Sequence, residues 1–108
     1  MMNYSQDFEI NKIEFNNFGL NSIQSQYFVA ENWPIVYILN NDGVKQAYVG
    51  ETTDTYSRMF SHLQSQSKNQ LKEAHFISSK KFNKSATLDI ESNLIKYLHA
   101  DGKFKLLN

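Results

Sequence analysis

Two short apolar segments on either side of a polar turn place the strongest constraint on how this chain folds. The first covers residues 35–39, the second covers residues 46–50, and the stretch between them opens with Asn-Asn-Asp-Gly. Apolar segments separated by polar residues and a glycine are typical of a β-hairpin. Pairing of the two segments would bring Tyr37 and Tyr48 close together, so the sequence predicts a hairpin with two neighbouring phenols.

The segments after the hairpin predict two helices and a third strand. Residues 52–54 are Thr-Thr-Asp, which suits a helix N-cap, and the helix that follows is expected to run to about residue 64. Residues 74–77 have the apolar pattern of a strand. A strong helix is predicted from residue 85 or 87 to about residue 100, because Gly102 is a typical stop signal. The core-facing stripe of the first helix is predicted to consist of Tyr56, Met59, Phe60 and Leu63.

Residues 1–32 are polar, and their few apolar residues show mixed periodicity. Apolar residues at positions 8 and 10, and again at 13 and 15, alternate as in a strand, but polar residues and Gly19 interrupt the run. We therefore expect an irregular N-terminal extension packed on the core over residues 1–32, followed by one α/β domain over residues 33–108.

The composition fits a single soluble domain. The chain has 108 residues and no cysteine, which excludes disulfides and thiolate metal sites and makes the cytoplasm the expected location. The longest apolar run, residues 34–39, is much shorter than a membrane span, and the N-terminus lacks the basic segment of a signal peptide.

The charge is zero overall but unevenly distributed. Residues 1–56 carry two lysines against seven acidic residues, whereas residues 57–108 carry nine basic residues against four acidic ones. Zero net charge argues weakly against a nucleic-acid partner, yet a basic second half can present one basic face to a polyanion. The charge distribution alone favours the simpler interpretation, in which the lysines solvate the helices.

Glu91 lies inside an otherwise apolar stripe of the final helix, which is formed by Leu88, Leu94, Ile95 and Leu98. A carboxylate that faces a core is costly unless it is paired or binds a cation. A salt bridge to Arg58 or to a lysine would satisfy it, as would a position at the edge of the stripe. A hard divalent ion such as Mg²⁺ would suit it equally, because that ion needs only one carboxylate together with waters and phosphate oxygens.

Arg58 and His62 are four residues apart, so they share one helix face, which points away from the predicted core stripe. The planar guanidinium of Arg58 can donate two parallel hydrogen bonds to a phosphate. His62 can donate to the same phosphate or move a proton. In isolation both are ordinary surface residues, and only their convergence with other groups would make a site.

Tyrosines on strands usually serve packing, so Tyr37 and Tyr48 matter because of their joint placement. A phenol has an ordinary pKa of about 10 and is a poor base at neutral pH. A guanidinium and a divalent ion nearby would favour the phenolate and lower that pKa. Either tyrosine could then take a proton from an attacking water.

Taken together, these residues resemble the pattern of a GIY-YIG nuclease domain. The first motif is Ile-Val-Tyr at residues 35–37 and the second is Tyr-Val-Gly at residues 48–50. Eleven positions separate the motif tyrosines, ten lead from the second tyrosine to Arg58, and four lead from Arg58 to His62. The resemblance covers roughly residues 33–108. It implies a small three-stranded antiparallel sheet flanked by helices, and an endonuclease that hydrolyses nucleic-acid phosphodiester bonds with one divalent cation.

The resemblance also implies six catalytic residues, namely Tyr37, Tyr48, Arg58, His62, Glu91 and Asn108. One of the tyrosines activates the water, the arginine and histidine hold the scissile phosphate, and Glu91 ligates Mg²⁺ or Mn²⁺. The asparagine corresponds to a family residue that follows the glutamate. The chain departs from the pattern at Ile35, where the first motif has a leading glycine, and at Glu51, where some repair-type members carry a basic residue.

The resemblance favours DNA over RNA as the partner and implies no membrane partner. Residues 49–53 and 81–85 are most similar to GIY-YIG domains at the front of larger proteins, whose downstream part resembles a P-loop ATPase or helicase. The chain is therefore expected to be the N-terminal part of a longer parent.

Lysines that alternate with aromatic residues provide candidate contacts to the nucleic acid: Lys80, Lys81 and Lys84 around Phe82, and Lys103 beside Phe104. Such segments suit backbone contact and base stacking. The simpler interpretation is a pair of solvated turns whose phenylalanines pack into the core. His75 and His99 receive no catalytic role.

Two other functions fit the same residues. One is a binding module of the same fold that docks nucleic acid or a partner for an attached ATPase and cleaves little. The other is a structural or interaction domain in which Glu91 and Arg58 form an ion pair in the core. The sequence favours the nuclease, since every polar position of the site holds a chemically competent residue.

Overall fold

A computed structural model describes residues 8–108 and has an α/β fold with a five-stranded mixed sheet flanked by helices. In chain order the elements are β1 (Glu9–Glu14), α1 (Asn17–Ser22), α2 (Tyr27–Ala30), β2 (Ile35–Asn41), β3 (Gln46–Thr52), α3 (Thr55–Gln64), β4 (Glu73–Ser78), α4 (Lys84–Asp101) and β5 (Lys105–Leu106). The order across the sheet is β1-β4-β2-β3-β5. The predicted α/β class and the predicted hairpin are confirmed.

The expected three-stranded antiparallel sheet was wrong, because a further strand lies at each edge of the central β4-β2-β3 unit. β1 pairs antiparallel with β4 along its whole length, from Glu9 opposite Ser78 to Glu14 opposite Glu73. β5 is only two residues long and pairs parallel with β3. As an edge strand β1 is mostly polar, and a two-residue strand is too short to leave any periodic signal.

The first 32 residues are more regular than expected. Their described part forms β1 and the short helices α1 and α2, and it contributes Phe15, Leu20 and Phe28 to the hydrophobic core. Residues 1–7 of the expected extension lie outside the described residues.

The signals predicted at the start of α3 and at the end of α4 are confirmed. The Asp54 side chain accepts a hydrogen bond of 3.2 Å from the backbone N–H of Ser57 and begins α3. α4 begins at Lys84, slightly before the predicted residue 85 or 87, because the side chain of Asn83 accepts from the N–H of Ala86 at 2.8 Å. Gly102 ends α4 with a φ of 73°, a left-handed conformation that favours glycine.

The core-facing side of α3 differs from the prediction. Its buried residues are Thr55, Met59 and His62, whereas Tyr56 and Phe60 are exposed. The buried three follow the helical spacing i, i+4, i+7, so the inward face is rotated by about one position from the apolar stripe. His62 consequently points into the protein, and the prediction that it shares a solvent-facing side with Arg58 was wrong.

Alternation along β2 assigns the two faces of the sheet. Ile35, Tyr37 and Leu39 join the main core together with Met59 of α3. The alternate residues Val36, Ile38 and Asn40 point to the opposite face, where α4 packs mainly on β3, β2 and β5. Among residues 8–108 no helix combines the length and the apolar character needed to cross a bilayer.

Candidate active site

Three rings meet on the core face of the hairpin. The Tyr37 hydroxyl lies 2.7 Å from His62 Nε2. The centroid of the Tyr48 ring is 5.1 Å from that of His62 and 6.2 Å from that of Tyr37. The two motif tyrosines, which are eleven residues apart in sequence, are therefore neighbours as predicted, and a histidine from α3 lies against both.

The hairpin register explains why a glycine ends the second motif. Gly50 is directly opposite Tyr37, and the Tyr37 ring crosses the place where a side chain at Gly50 would be. A Cβ at Gly50 would overlap the Cζ and hydroxyl oxygen of Tyr37. Only a residue without a side chain permits this close approach.

Burial sets the protonation state of Tyr37, whose side chain is only 1% exposed. Burial raises the pKa of Tyr37 above its ordinary value of 10, and the neighbouring Tyr48 raises it further. Arg58 lowers this pKa, but by less than burial raises it. Arg58 thus favours the phenolate as expected, but burial outweighs its effect, and Tyr37 keeps its proton at neutral pH.

His62 is 7% exposed, and its pKa is shifted downward, in the opposite direction from that of Tyr37. Burial, followed by the positive charges of Lys68 and Arg58, lowers the pKa of His62 to about 4. The imidazole is therefore neutral at pH 7 and can accept a hydrogen bond at Nε2. In the tautomer with the histidine proton on Nδ1, the Tyr37 phenol donates and Nε2 accepts.

Arg58 is exposed near the start of α3 and stands at the edge of this cluster. It lines a shallow polar cavity of about 340 Å³ together with Thr52, Thr53, Asp54, Ser57 and Ser61. Its charge lowers the pKa of both Tyr37 and His62, so its guanidinium lies within electrostatic reach of both rings. The position suits an arginine that binds a phosphate beside the tyrosines.

Lys68 is a member of the cluster that the sequence did not indicate. It lies in the polar turn between α3 and β4, and its Nζ is 4.7 Å from the centroid of the Tyr48 ring. Its charge is also the second cause of the lowered pKa of His62. A lysine in a polar turn has no periodic pattern around it, so only the folded chain reveals this contact.

Glu91 is half-buried on α4, close to Glu51 of β3. Burial raises the pKa of Glu91, and the nearby carboxylate of Glu51 raises it further. Within residues 8–108 Glu91 forms no ion pair, so the pairing with Arg58 that one alternative required is not seen. Its charge contributes to the raised pKa of Tyr37, which brings its carboxylate within electrostatic reach of that phenol.

Lys84 binds Glu51 beside Glu91. The Lys84 ammonium donates to both carboxylate oxygens of Glu51, at 2.7 and 2.6 Å, and the hydroxyl of Thr87 lies 3.4 Å from one of them. The position after the second motif is acidic here, and the fold brings a lysine to it from the start of α4. Lys84, which was predicted to contact nucleic acid, is therefore engaged within the protein.

The Glu51 and Glu91 pair is also the part of the site that suits a divalent cation. The described residues contain no group of three or more histidine, cysteine or acidic side chains arranged as metal ligands. Mg²⁺, however, is commonly held by one or two carboxylates, with waters and phosphate oxygens completing its shell. Two neighbouring carboxylates, of which Glu51 raises the pKa of Glu91, fit that requirement.

Asn108 lies against the backbone of β3 rather than beside the rings. The N–H of Val49 donates to its Oδ1 at 3.0 Å, and its Nδ2 donates to the carbonyl of Val49 at 2.7 Å. The side chain thus continues the pairing of β5 with β3. Within residues 8–108 it forms no hydrogen bond to the other five predicted catalytic side chains, so its visible role is to position the second motif.

The other predicted lysines do not converge on the rings. Lys80 Nζ lies 5.5 Å from the ring centroid of Tyr27 on α2, and Lys81 and Lys103 are exposed in turns at opposite ends of α4.

Comparisons with protein-family models, with curated proteins and with solved structures found no match. The function must therefore be inferred from the residues of this chain.

Proposed function

We propose that this protein is a metal-dependent endonuclease of the GIY-YIG type that hydrolyses phosphodiester bonds of nucleic acid, with DNA preferred to RNA. The observation that supports this most strongly is the 2.7 Å contact between the Tyr37 hydroxyl and His62 Nε2, with the Tyr48 ring against both. These residues come from two strands and a helix. Their spacing in the sequence is the spacing on which the resemblance to GIY-YIG domains rests. The central β4-β2-β3 unit between α3 and α4 agrees with the fold that the resemblance implies.

The protonation states favour a relay over a free phenolate. Tyr48 is only partly buried and is the phenol that an attacking water can reach, whereas Tyr37 is enclosed behind it. The centroids of the two phenol rings are 6.2 Å apart, so Tyr48 is the neighbour through which a proton would reach Tyr37. In the relay the water gives a proton to the oxygen of Tyr48, Tyr48 gives its own to Tyr37, and Tyr37 gives its own to Nε2 of His62.

The water oxygen then forms a bond to phosphorus as the bond to the leaving oxygen breaks, and the leaving oxygen takes a proton from solvent. Arg58 is placed to bind the non-bridging oxygens through its planar fork. A divalent ion, when bound by Glu91 with or without Glu51, would offset the charge that develops on the phosphate and the leaving oxygen. His62 releases its extra proton readily, because its pKa of about 4 is well below the pH of the medium.

Cleavage of supercoiled plasmid tests the proposal. We expect nicking in the presence of Mg²⁺ or Mn²⁺, none after chelation, and a loss of about 100-fold or more in Tyr48→Phe and Glu91→Gln. Tyr56→Phe is the matched control, because Tyr56 is an exposed tyrosine at the start of α3 and should leave the rate unchanged. Full activity in Glu91→Gln would contradict the assignment of the metal ligand.

The burial of Tyr37 and His62 favours one alternative, a module that binds nucleic acid for an attached ATPase or helicase without cutting it. Tyr37 and His62 are buried, and Lys84 is bound to Glu51. A wild-type protein that retards DNA in a gel but shows no metal-dependent nicking would support that module over the nuclease.

A further inference from the structure

The sheet face opposite the rings has a cavity that the proposed nuclease does not use. It has a volume of about 390 Å³ and opens over β1, β4 and β2, beside the end of α4. Its walls are largely apolar and include Ile10, Ile38, Ile77, Leu98 and Phe104. Small-molecule sites typically have this form, an apolar cavity of roughly 300–1,000 Å³ with a few polar groups that fix orientation.

Asn40 forms the polar end of this cavity and is 8% exposed. Its Nδ2 donates to Oδ1 of Asp42 at 2.9 Å and to Oε1 of Glu73 at 3.2 Å, which uses both of its N–H groups. Because both neighbours are carboxylates, the nitrogen of the amide must face them, and its orientation is fixed. Oδ1 is buried and accepts no hydrogen bond from any of residues 8–108. This oxygen is closed to water, so the acceptors that a bound molecule can reach at this end of the cavity are the carboxylates of Asp42 and Glu73.

The charges around Asn40 indicate what kind of donor fits. Asp42 and Glu73 are opposed by one cation, Lys12, whose Nζ lies 2.7 Å from Oε2 of Glu73. Burial lowers the pKa of His75, the remaining titratable group in the lining, so the imidazole adds no positive charge at neutral pH. The polar end is therefore net negative and rich in acceptors, which suits a positively charged donor.

We propose that this cavity binds a small amphipathic cation, with its apolar body against Ile38 and Ile77 and one ammonium or amidinium group beside the carboxylates of Asp42 and Glu73. The site is separate from the proposed nuclease, since its lining includes none of the six predicted catalytic residues. It requires no change in the ring cluster and can be tested without any measurement of cleavage.

Three probes with the same apolar body separate charge from hydrophobicity: 4-phenylbutylamine, 4-phenylbutanol and 4-phenylbutyrate. They are titrated into the ¹⁵N-labelled protein, and the resonances of the Asn40 side-chain amide and of Ile38 and Ile77 are followed. We expect the amine to shift these resonances and to bind about tenfold more tightly than the alcohol, and the acid to bind most weakly. Equal affinity for all three, or no shift with the amine at millimolar concentration, would overturn the proposal.

Two substitutions of exposed acids give a matched comparison. Asp42→Asn removes one negative charge at the mouth of the cavity and should weaken binding of the amine several-fold while leaving the alcohol unaffected. Glu31→Gln removes a charge that does not line the cavity and should change neither affinity. If the resonances of the lining instead broaden as the protein concentration rises, the occupant is a second copy of the chain and the proposal is wrong.

Discussion

Replacement of Gly50 by alanine tests how closely the two tyrosine motifs must fit together. Besides the overlap with the Cζ and hydroxyl oxygen of Tyr37, the new Cβ would lie 2.8 Å from Cε1 of that ring. Carbon atoms in contact prefer a separation of about 3.5 Å or more. The Tyr37 ring must therefore move by at least about 0.7 Å, and its hydroxyl moves with it.

This displacement affects stability and activity by different routes. Overpacking of a core typically costs about 1–3 kcal/mol, and the strained or lost hydrogen bond to His62 adds about 0.5–1.5 kcal/mol. Part of this loss is recovered because alanine restricts the unfolded chain, which is worth about 0.4–1 kcal/mol. We expect the free energy of unfolding to fall by about 0.5–4 kcal/mol in total. A shift of about 1 Å in a catalytic group can reduce a rate about 100-fold, so cleavage should fall further than the folded fraction.

Urea unfolding, followed by tryptophan fluorescence, and plasmid nicking at a temperature where the variant is fully folded are the two measurements. Gly43→Ala is the control, because a Cβ at Gly43 would meet only the side-chain oxygen of Asn41, at 3.2 Å in an exposed turn. If Gly50→Ala is as stable and as active as Gly43→Ala, the Tyr37 ring does not cross Gly50 and the cluster is wrongly described.

Three further predictions concern the neighbours of the cluster. Asn108→Ala should lower the free energy of unfolding by about 1–2 kcal/mol in urea titrations, since it removes two hydrogen bonds to Val49, whereas Asn69→Ala should have little effect. The pKa of His62 is lowered to about 4 in the folded protein. As the pH falls from about 6.5 to about 4, the unfolded chain therefore binds a proton at His62 that the folded chain does not bind. Stability should decline over that window, and less steeply in His62→Gln; equal pH dependence in the two proteins would refute the shift. Lys84→Gln should strengthen Mn²⁺ binding several-fold in calorimetry, because it leaves Glu51 and Glu91 without their nearest cation, whereas Lys96→Gln should not.

The elements that local signals control are those that the sequence predicted. The hairpin follows from two apolar segments around a polar turn, the start of α3 follows from Asp54, and the end of α4 follows from Gly102. The edge strands depend instead on partners distant in sequence, as when β1 pairs with β4. The unpartnered oxygen of Asn40 was equally invisible, since it results from two carboxylates that the fold brings to one amide.

The inward face of α3 shows why the apolar pattern alone was not sufficient. Burial of Tyr56 and Phe60 would remove more apolar area from water than burial of Thr55 and His62, so the pattern favoured the wrong face. The fold buries the histidine instead, and the cost is offset because the Tyr37 hydroxyl satisfies its Nε2. Local patterns are most often violated where function imposes its own demands. A neutral histidine that is held inside the protein by one phenol is what the proposed relay requires, and an exposed histidine on the outer face of the helix would have a higher pKa and no fixed partner.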